Sequence, residues 1–501
     1  MTDRFPKATA ALGLLAGTAA ALLYHRRGLT LSHYDAKAHL VVARRILDSL
    51  TPEYSQIGAV WLPLPHVLNL LPVQIDAFYR TGASGVAISV LSFALACYAI
   101  ARLVLRTTQS RPAAAIGVAM FALDPNILYL QSTPMTEPLL LGLTLLAVSL
   151  VYDWIDVETE SAGSSVDARV RANKSRAKAG WCLVAACLTR YEAWFVTAAV
   201  LVLAVIALWR LGRTFRDSLE STAALAAYPL LAILCFFFHS WFTTGDWFVT
   251  GGFFVPDNIA FGRPHTALMA VIYGMRILAG APALVIALAG VGFLLWRVVT
   301  KTEDAASLVV LALIALMVLP AYAFYKGHPF RMRYMIVPTA GAAVFVGIAV
   351  GMLRGQWRRA AVVAAAAWLL ATARPADAKA PMVQEAQWDR PFSLERRAVT
   401  ACLMRDYHGE PILASMGSLA HYMQELSREG INIRDFVHEG NLPYWQEAIE
   451  APRGLVGWIL VEERAEGGDR LAARTRESSD FLTGFTRVCA GGGVVLYRKS
   501  S

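Results

Sequence analysis

Few side chains in this 501-residue chain are suited to chemistry, and they cluster where apolar runs end. The first is Asp35, in the stretch Leu31 to His66, LSHYDAKAHLVVARRILDSLTPEYSQIGAVWLPLPH. His39 follows four residues later, so in a helix the two side chains share one face, and His66 closes the stretch. A carboxylate in such a place can take a proton from a hydroxyl. It can also merely cap a helix, but a loop this long and aromatic favours function. Glu137 in STPMTEP, Arg190-Tyr191-Glu192, Asp257 in TTGDWFVTGGFFVPDNIAFGRPHT and the run Lys326 to Tyr334, KGHPFRMRY, complete the set. Lys326, Arg331 and Arg333 suit a phosphate, because guanidinium presents a planar fork of donors to it. Each has a plainer reading: lipid headgroup anchoring for the basic run, a favoured helix start for Glu137, mutual pairing for Arg190 and Glu192. Asp35, His39 and His66 lack the spacing of a metal site, so no metal is predicted.

The elements that must position these groups are set by composition. Hydrophobic residues make up 56% of the chain and charged ones 17%, with a mean hydropathy of +0.47, as in polytopic membrane proteins. The formal charge of +9 would suggest nucleic acid in a soluble protein, but basic loops on one membrane side account for it. Apolar runs alternate with Lys/Arg-rich loops in a pattern predicting about eleven spans, N-terminus inside and C-terminus outside. They are Ala8 to Tyr24 (a cleaved signal peptide being the alternative), Gly85 to Leu105, Ala113 to Leu128, Leu139 to Tyr152, two within Ala179 to Trp209, Ala223 to Trp241, Gly280 to Trp296, Leu308 to Phe324, Met335 to Leu353 and Ala360 to Ala373. The stretch Ala179 to Trp209 has basic flanks at both ends, and one long helix would bury Arg190 and Glu192 in mid-membrane. A hairpin with RYE at its outer tip is therefore expected.

On this topology the reactive groups all fall on the outer face. The first outer loop spans 25–84, with a short amphipathic helix lying flat on the membrane surface. Arg44 and Arg45 would be interfacial charges of that helix. A second outer loop, 243–266, mixes Gly with aromatics and suits motion over a substrate. A basic cluster at 326–333 on the side normally depleted of Lys and Arg calls for an anion.

From 374 to 501 the apolar runs shorten. PILAS, INIRDFV, LVGWILVEE, TRVCA and VVLYRK read as strands, the last two around Gly491-Gly492-Gly493, with helical patterns between them. This is a soluble α/β domain outside the membrane, where a Cys402–Cys489 disulfide is permitted. It reads as an accessory to the membrane domain of residues 1–373.

HYDAKAHLVVARRI, STPMTEPLLL and LTRYEAW resemble segments of the GT-C membrane glycosyltransferases, such as protein O-mannosyltransferases, the aminoarabinose lipid A transferase and oligosaccharyltransferases. The likeness covers most of residues 1–373. It departs from the mannosyltransferases in having Ala36 where they carry the second acid of an Asp-Glu pair. The resemblance implies transfer of a sugar from a polyprenyl-phosphate carrier to an extracytoplasmic acceptor (glycan, lipid or protein), with inversion, in the cell membrane. It makes Asp35 the catalytic base and Lys326, Arg331, Arg333 and Arg190 the ligands of the donor phosphate. His39, His66, Glu137, Glu192, Tyr334 and Asp257 would bind substrate. No cofactor is implied, and a divalent cation is compatible but not predicted. A membrane transporter or lipid flippase is the alternative, which should show inverted repeats or interrupted helices near the midplane. Neither is visible in the sequence.

Overall fold

The computed structural model describes residues 4–160, 166–249, 258–465, 467–478 and 480–500. Among these, eight helical stretches are long and apolar enough to cross a membrane: Phe5–Arg26, Ala83–Thr108, Glu137–Glu160, Glu192–Arg210, Phe215–Thr244, Ala281–Thr300, Thr302–Tyr325 and Met332–Met352. Arg111–Ala122, Val166–Cys187 and Gly355–Thr372 fill the remaining expected segments. The protein is a polytopic α-helical membrane protein with a small C-terminal sheet domain.

The helix carrying the basic run, α1 (Met332–Met352), is buried along almost its whole length, at the centre of the bundle. Its neighbours approach through small residues, as helices in lipid do. Gly290 lies so close to it that a Cβ there would overlap the Phe345 carbonyl. At one end of the bundle arginines close onto acids: Arg102 and Arg106 on Asp153 and Asp156, Arg213 on Glu158, Arg297 on Asp304. The opposite end carries the loop 25–84, the RYE corner and the C-terminal domain. As expected, the stretch 179–209 breaks there, between Val166–Cys187 and Glu192–Arg210.

Two features differ from expectation. The loop 243–266 begins inside Phe215–Thr244 and ends in a further helix, Pro264–Ala279, while residues 250–257, including Asp257, lie outside the described set. That helix is 16 residues long, and Gly280, at φ +80°, turns the chain directly into Ala281–Thr300. The second difference concerns the amphipathic helix of the first loop, Tyr34–Arg44. It is not laid open on a membrane surface: ten of its eleven residues are buried. Leu40 and Val41 pack with Leu403, Leu419 and Phe436 of the C-terminal domain, burial that contributes about 1.5–3 kcal/mol per side chain. Its charges are correspondingly paired. Lys37 reaches Glu425 at 2.5 Å, and Arg44 reaches Asp48 at 2.8 Å and Asp76 at 2.7 Å. Arg45 donates to the Gln56 carbonyl and to Met416 Sδ. A polar helix face can be satisfied by water or by a partner domain, and here the partner has it.

The C-terminal domain holds a five-stranded sheet, numbered along the chain β1 (Ile412–Ala414), β2 (Phe436–Val437), β3 (Trp458–Glu462), β4 (Phe485–Gly491) and β5 (Val494–Lys499). The order is β2-β1-β3-β5-β4, with β1 parallel to β2 and β3, and β5 antiparallel to both β3 and β4. Every strand overlaps a run that the sequence marked, with β4 extending one residue beyond TRVCA at each end. Cys402, in helix Arg390–Asp406, is bonded to Cys489 of β4, with Cα atoms 6.7 Å apart. The connection from the last membrane helix stays with the bundle: Met382 and Val383 are buried in its core, and Met382 N–H donates to Asn126 Oδ1 at 3.0 Å.

Candidate active site

Asp35 stands in the first turn of Tyr34–Arg44 but does not cap it; that role falls to His33, whose Nδ1 accepts the Asp35 N–H at 3.1 Å. Its carboxylate is thereby free for a long-range partner, and forms a buried ion pair with Arg333 Nη1. Arg333 sits at the start of α1, whose first N–H groups need acceptors. Glu385 supplies them: Oε2 accepts the Met332 N–H at 2.6 Å and Oε1 the Arg333 N–H at 3.3 Å. Arg333 Nη2 donates to the Tyr334 hydroxyl at 3.0 Å, and that hydroxyl lies 3.4 Å from His328 Nε2. The Arg333 Nε is buried without a hydrogen-bond acceptor among the described residues. Arg331, on the same turn, has its guanidinium 5.9 Å from the Trp388 ring, which meets Tyr34 edge-on at 5.3 Å.

Burial alone would push the Asp35 carboxyl up, but the Arg333 charge and hydrogen bond outweigh it and hold the group at about 2. Asp35 is ionised at neutral pH and weakly basic while that pairing lasts. Burial keeps the nearby imidazoles neutral: His33 and His66 are each pushed down to about 3, and His39 well below its ordinary value.

The hydrogen bonds assign the tautomers. His66 Nδ1 lies 3.2 Å from the Leu62 carbonyl, which can only accept, so Nδ1 carries the proton and Nε2 is bare. His39 Nδ1, 3.1 Å from that Nε2, must then donate. This leaves His39 Nε2 as a bare acceptor.

A second charged group adjoins the first. Glu137, fully buried as the first residue of Glu137–Glu160, lies 3.1 Å from Arg190 Nη1, and among the described residues neither carboxylate oxygen has a well-directed hydrogen bond. Arg190 also donates to Thr136 Oγ1 at 3.0 Å and to Glu192 at 2.8 Å. One guanidinium thus faces two carboxylates. A small cavity lined by His39, His66, Asn69, Pro134 and Thr136 joins this cluster to the imidazole pair. Arg190 acts electrostatically on His39, and Glu137 on Arg333, so the clusters form one field.

Of the residues singled out in the sequence, Asp35, Arg333, Tyr334, His39, His66, Glu137, Arg190 and Glu192 come together at this end of the bundle. Arg331 lines its edge. Lys326 is exposed on the corner before α1, its ammonium 5.8 Å from the Tyr322 ring. His33, Tyr34, Glu385 and Trp388 were not anticipated. His33 and Tyr34 adjoin Asp35 and could have been found by asking what caps its helix; Glu385 and Trp388 carry no local signal. Among the described residues no group of three or more His, Cys, Asp or Glu is placed to hold a metal ion.

A bundle with its charged site at one end, roofed by the loop before the second long helix and by a C-terminal domain, is the GT-C fold. Solved structures share it along nearly the whole chain. ArnT from Cupriavidus metallidurans bound to undecaprenyl phosphate aligns with a TM-score of 0.58 at 14% identity, covering 96% of this chain and 97% of that one. The Archaeoglobus fulgidus oligosaccharyltransferase in complex with Zn and sulfate aligns with a TM-score of 0.56 at 12% identity, covering 98% of this chain and 73% of that one. No protein-family model matches the chain, and no curated protein matches it in sequence.

Proposed function

We propose that the chain is a membrane glycosyltransferase that moves a sugar from a polyprenyl-phosphate carrier to an acceptor hydroxyl on the outer face of the cell membrane. The observation that carries this reading is the buried Asp35–Arg333 pair at the start of α1, in a fold shared with a protein solved with undecaprenyl phosphate. Arg333, Arg331 and Lys326 attract the donor phosphate, with Arg190 adding to the positive field. As the phosphate takes a share of Arg333, the hold on Asp35 weakens and burial raises its basicity. Asp35 then accepts the acceptor's hydroxyl proton while that oxygen bonds to the anomeric carbon. The carbon–oxygen bond to phosphate breaks, its electron pair leaving on the phosphate, which the arginines stabilise. One displacement inverts the anomeric centre. Glu137, Glu192, His39, His66, Tyr334 and Asp257 hold substrate hydroxyls, and the bare Nε2 of His39 is suited to that task.

The same reading assigns eleven crossings, a cytoplasmic N-terminus and an outer C-terminal domain from 374 to 501. The Cys402–Cys489 bond suits an oxidising compartment.

Purified protein is given a panel of polyprenyl-phosphate sugars and membrane extract as acceptor, and free polyprenyl phosphate is measured. Release that falls by roughly 10²–10⁴ in Asp35→Asn while donor still binds supports the base. Intact release in that variant removes Asp35 from the role, and no turnover or binding across the panel removes the reaction.

A further inference from the structure

The carboxylate that holds the start of α1 comes from far along the chain. A helix is normally capped by the side chain at its own N-cap position. Here that position, Arg331, makes no side-chain cap, and the N–H groups of Met332 and Arg333 still need acceptors. Glu385, 52 residues beyond Arg333, gives them one oxygen each. It belongs to the connection between the membrane bundle and the C-terminal domain. That connection is anchored on both sides of Glu385, since Ala380, Met382, Val383 and Ala386 are buried in the bundle core. The residues just after Glu385 reach the other half of the Asp35–Arg333 pair. Trp388 meets the ring of Tyr34, the neighbour of Asp35, edge-on at 5.3 Å. Asp389 accepts from Arg396 Nη2 at 2.6 Å, and the same nitrogen donates to Glu425 at 3.2 Å. Glu425 in turn receives Lys37 at 2.5 Å, two residues from Asp35 on one helix. The short segment 385–389 therefore references both Arg333 and Asp35 to one piece of chain.

The reaction gives this common reference its use. When a phosphate draws Arg333 away from Asp35, the guanidinium loses the buried contact that fixed its place. The Glu385 bonds persist, because they engage backbone N–H groups that a ligand of the guanidinium leaves untouched. A tilt at the start of the helix is magnified at the end of an arginine side chain, and a misplacement of about 1 Å can cost about 10²-fold in rate. We propose that Glu385 is a positioning residue: by tying the start of α1 to the segment 385–389, it fixes the Arg333 guanidinium for the donor phosphate. This rests on the reading of Arg333 as a ligand of that phosphate.

The full chain in detergent is tested for equilibrium binding of radiolabelled undecaprenyl phosphate, in a double-mutant cycle of Glu385→Ala and Arg333→Lys. Lysine keeps a charge against Asp35 but lacks the planar fork that Glu385 orients. Each single variant should bind roughly tenfold more weakly, and adding Glu385→Ala to Arg333→Lys should cost less than about twofold more. A cap that merely stabilises the helix lowers binding by the same factor in both backgrounds, and that outcome overturns the proposal. Wild-type binding in Glu385→Ala beside impaired binding in Arg333→Lys removes Glu385 alone. No binding by wild type, or undiminished binding by Arg333→Lys, removes the phosphate reading and the proposal with it. Should Glu385→Ala fail to give monodisperse protein, Glu385→Gln, which keeps the length and one acceptor oxygen, takes its place and must show the same dependence on Arg333.

Discussion

Asp35 and Arg333 illustrate how a buried pair differs from its separate members. Arg333→Gln leaves an uncompensated, largely buried carboxylate, which costs about 3–5 kcal/mol of stability. Asp35→Asn/Arg333→Gln should recover most of that loss in a detergent melting experiment without recovering sugar transfer. A double variant no more stable than Arg333→Gln would show that the pair is not coupled. The imidazoles give a pH signature. His66 is held at about 3 when folded, against about 6.5 when unfolded, so the unfolded chain binds the extra proton between those values. Its contribution is complete above pH 6.5 and drains away as the pH falls toward 3, reaching about 2 kcal/mol lost by pH 5. Melting temperature should therefore drop between pH 7 and pH 5, and less steeply in His66→Asn. Parallel slopes in the two proteins would assign the loss elsewhere. At this scale the sequence was informative about residue types and poor about partners. Asp35 and the basic run stood out because charge is scarce in apolar chains, whereas Glu385, which holds the start of α1, lies in an ordinary polar stretch.

For whole elements, hydropathy and the placement of Lys and Arg were strong signals. Burying Arg190 and Glu192 in mid-membrane is so costly that the break between Cys187 and Glu192 could be expected from the sequence. Helix Pro264–Ala279 was missed because PHTALMAVIYGMRILA is apolar on both faces and shorter than a span. The burial of Tyr34–Arg44 was missed for another reason: alternating apolar and charged residues look alike whether the polar side meets water or Glu425. Packing between elements yields a sharper test. Gly290→Val places side-chain atoms where the Phe345 carbonyl already sits, so helix Ala281–Thr300 must move away from α1. A lowered melting temperature and reduced yield of monodisperse protein are expected; unchanged melting would mean that the two helices separate at little cost.

For the molecule as a whole, the loop 25–84 and the C-terminal domain form one cap over the charged end of the bundle. Arg434 bonds Asp48 at 2.7 Å, Asn441 bonds Ser49 and Thr51, and Gln424 bonds the Tyr79 carbonyl at 3.1 Å. If this end faces outward, a cysteine placed at Glu429 should react with an impermeant maleimide on intact cells, and one placed at Arg171 only after permeabilisation. The reverse pattern would invert the orientation. The disulfide belongs to the same argument. Cys402→Ser should lower the melting temperature by the equivalent of about 2–4 kcal/mol in protein isolated from an oxidising compartment. No difference from wild type would mean that the bond does not form there.

The cap also sets a timetable for biogenesis. Asp35 leaves the ribosome long before Arg333, 298 residues further on, and Lys37 precedes Glu425 by 388. At about 5–20 residues per second, the nascent Asp35 waits roughly 15–60 s for its arginine, and Lys37 waits longer. Throughout that interval a helix destined for near-complete burial waits with Asp35 and Lys37 unmatched, although Arg44 can already close on Asp48 and Asp76, and a chain truncated before residue 425 never supplies the carboxylate that Lys37 needs.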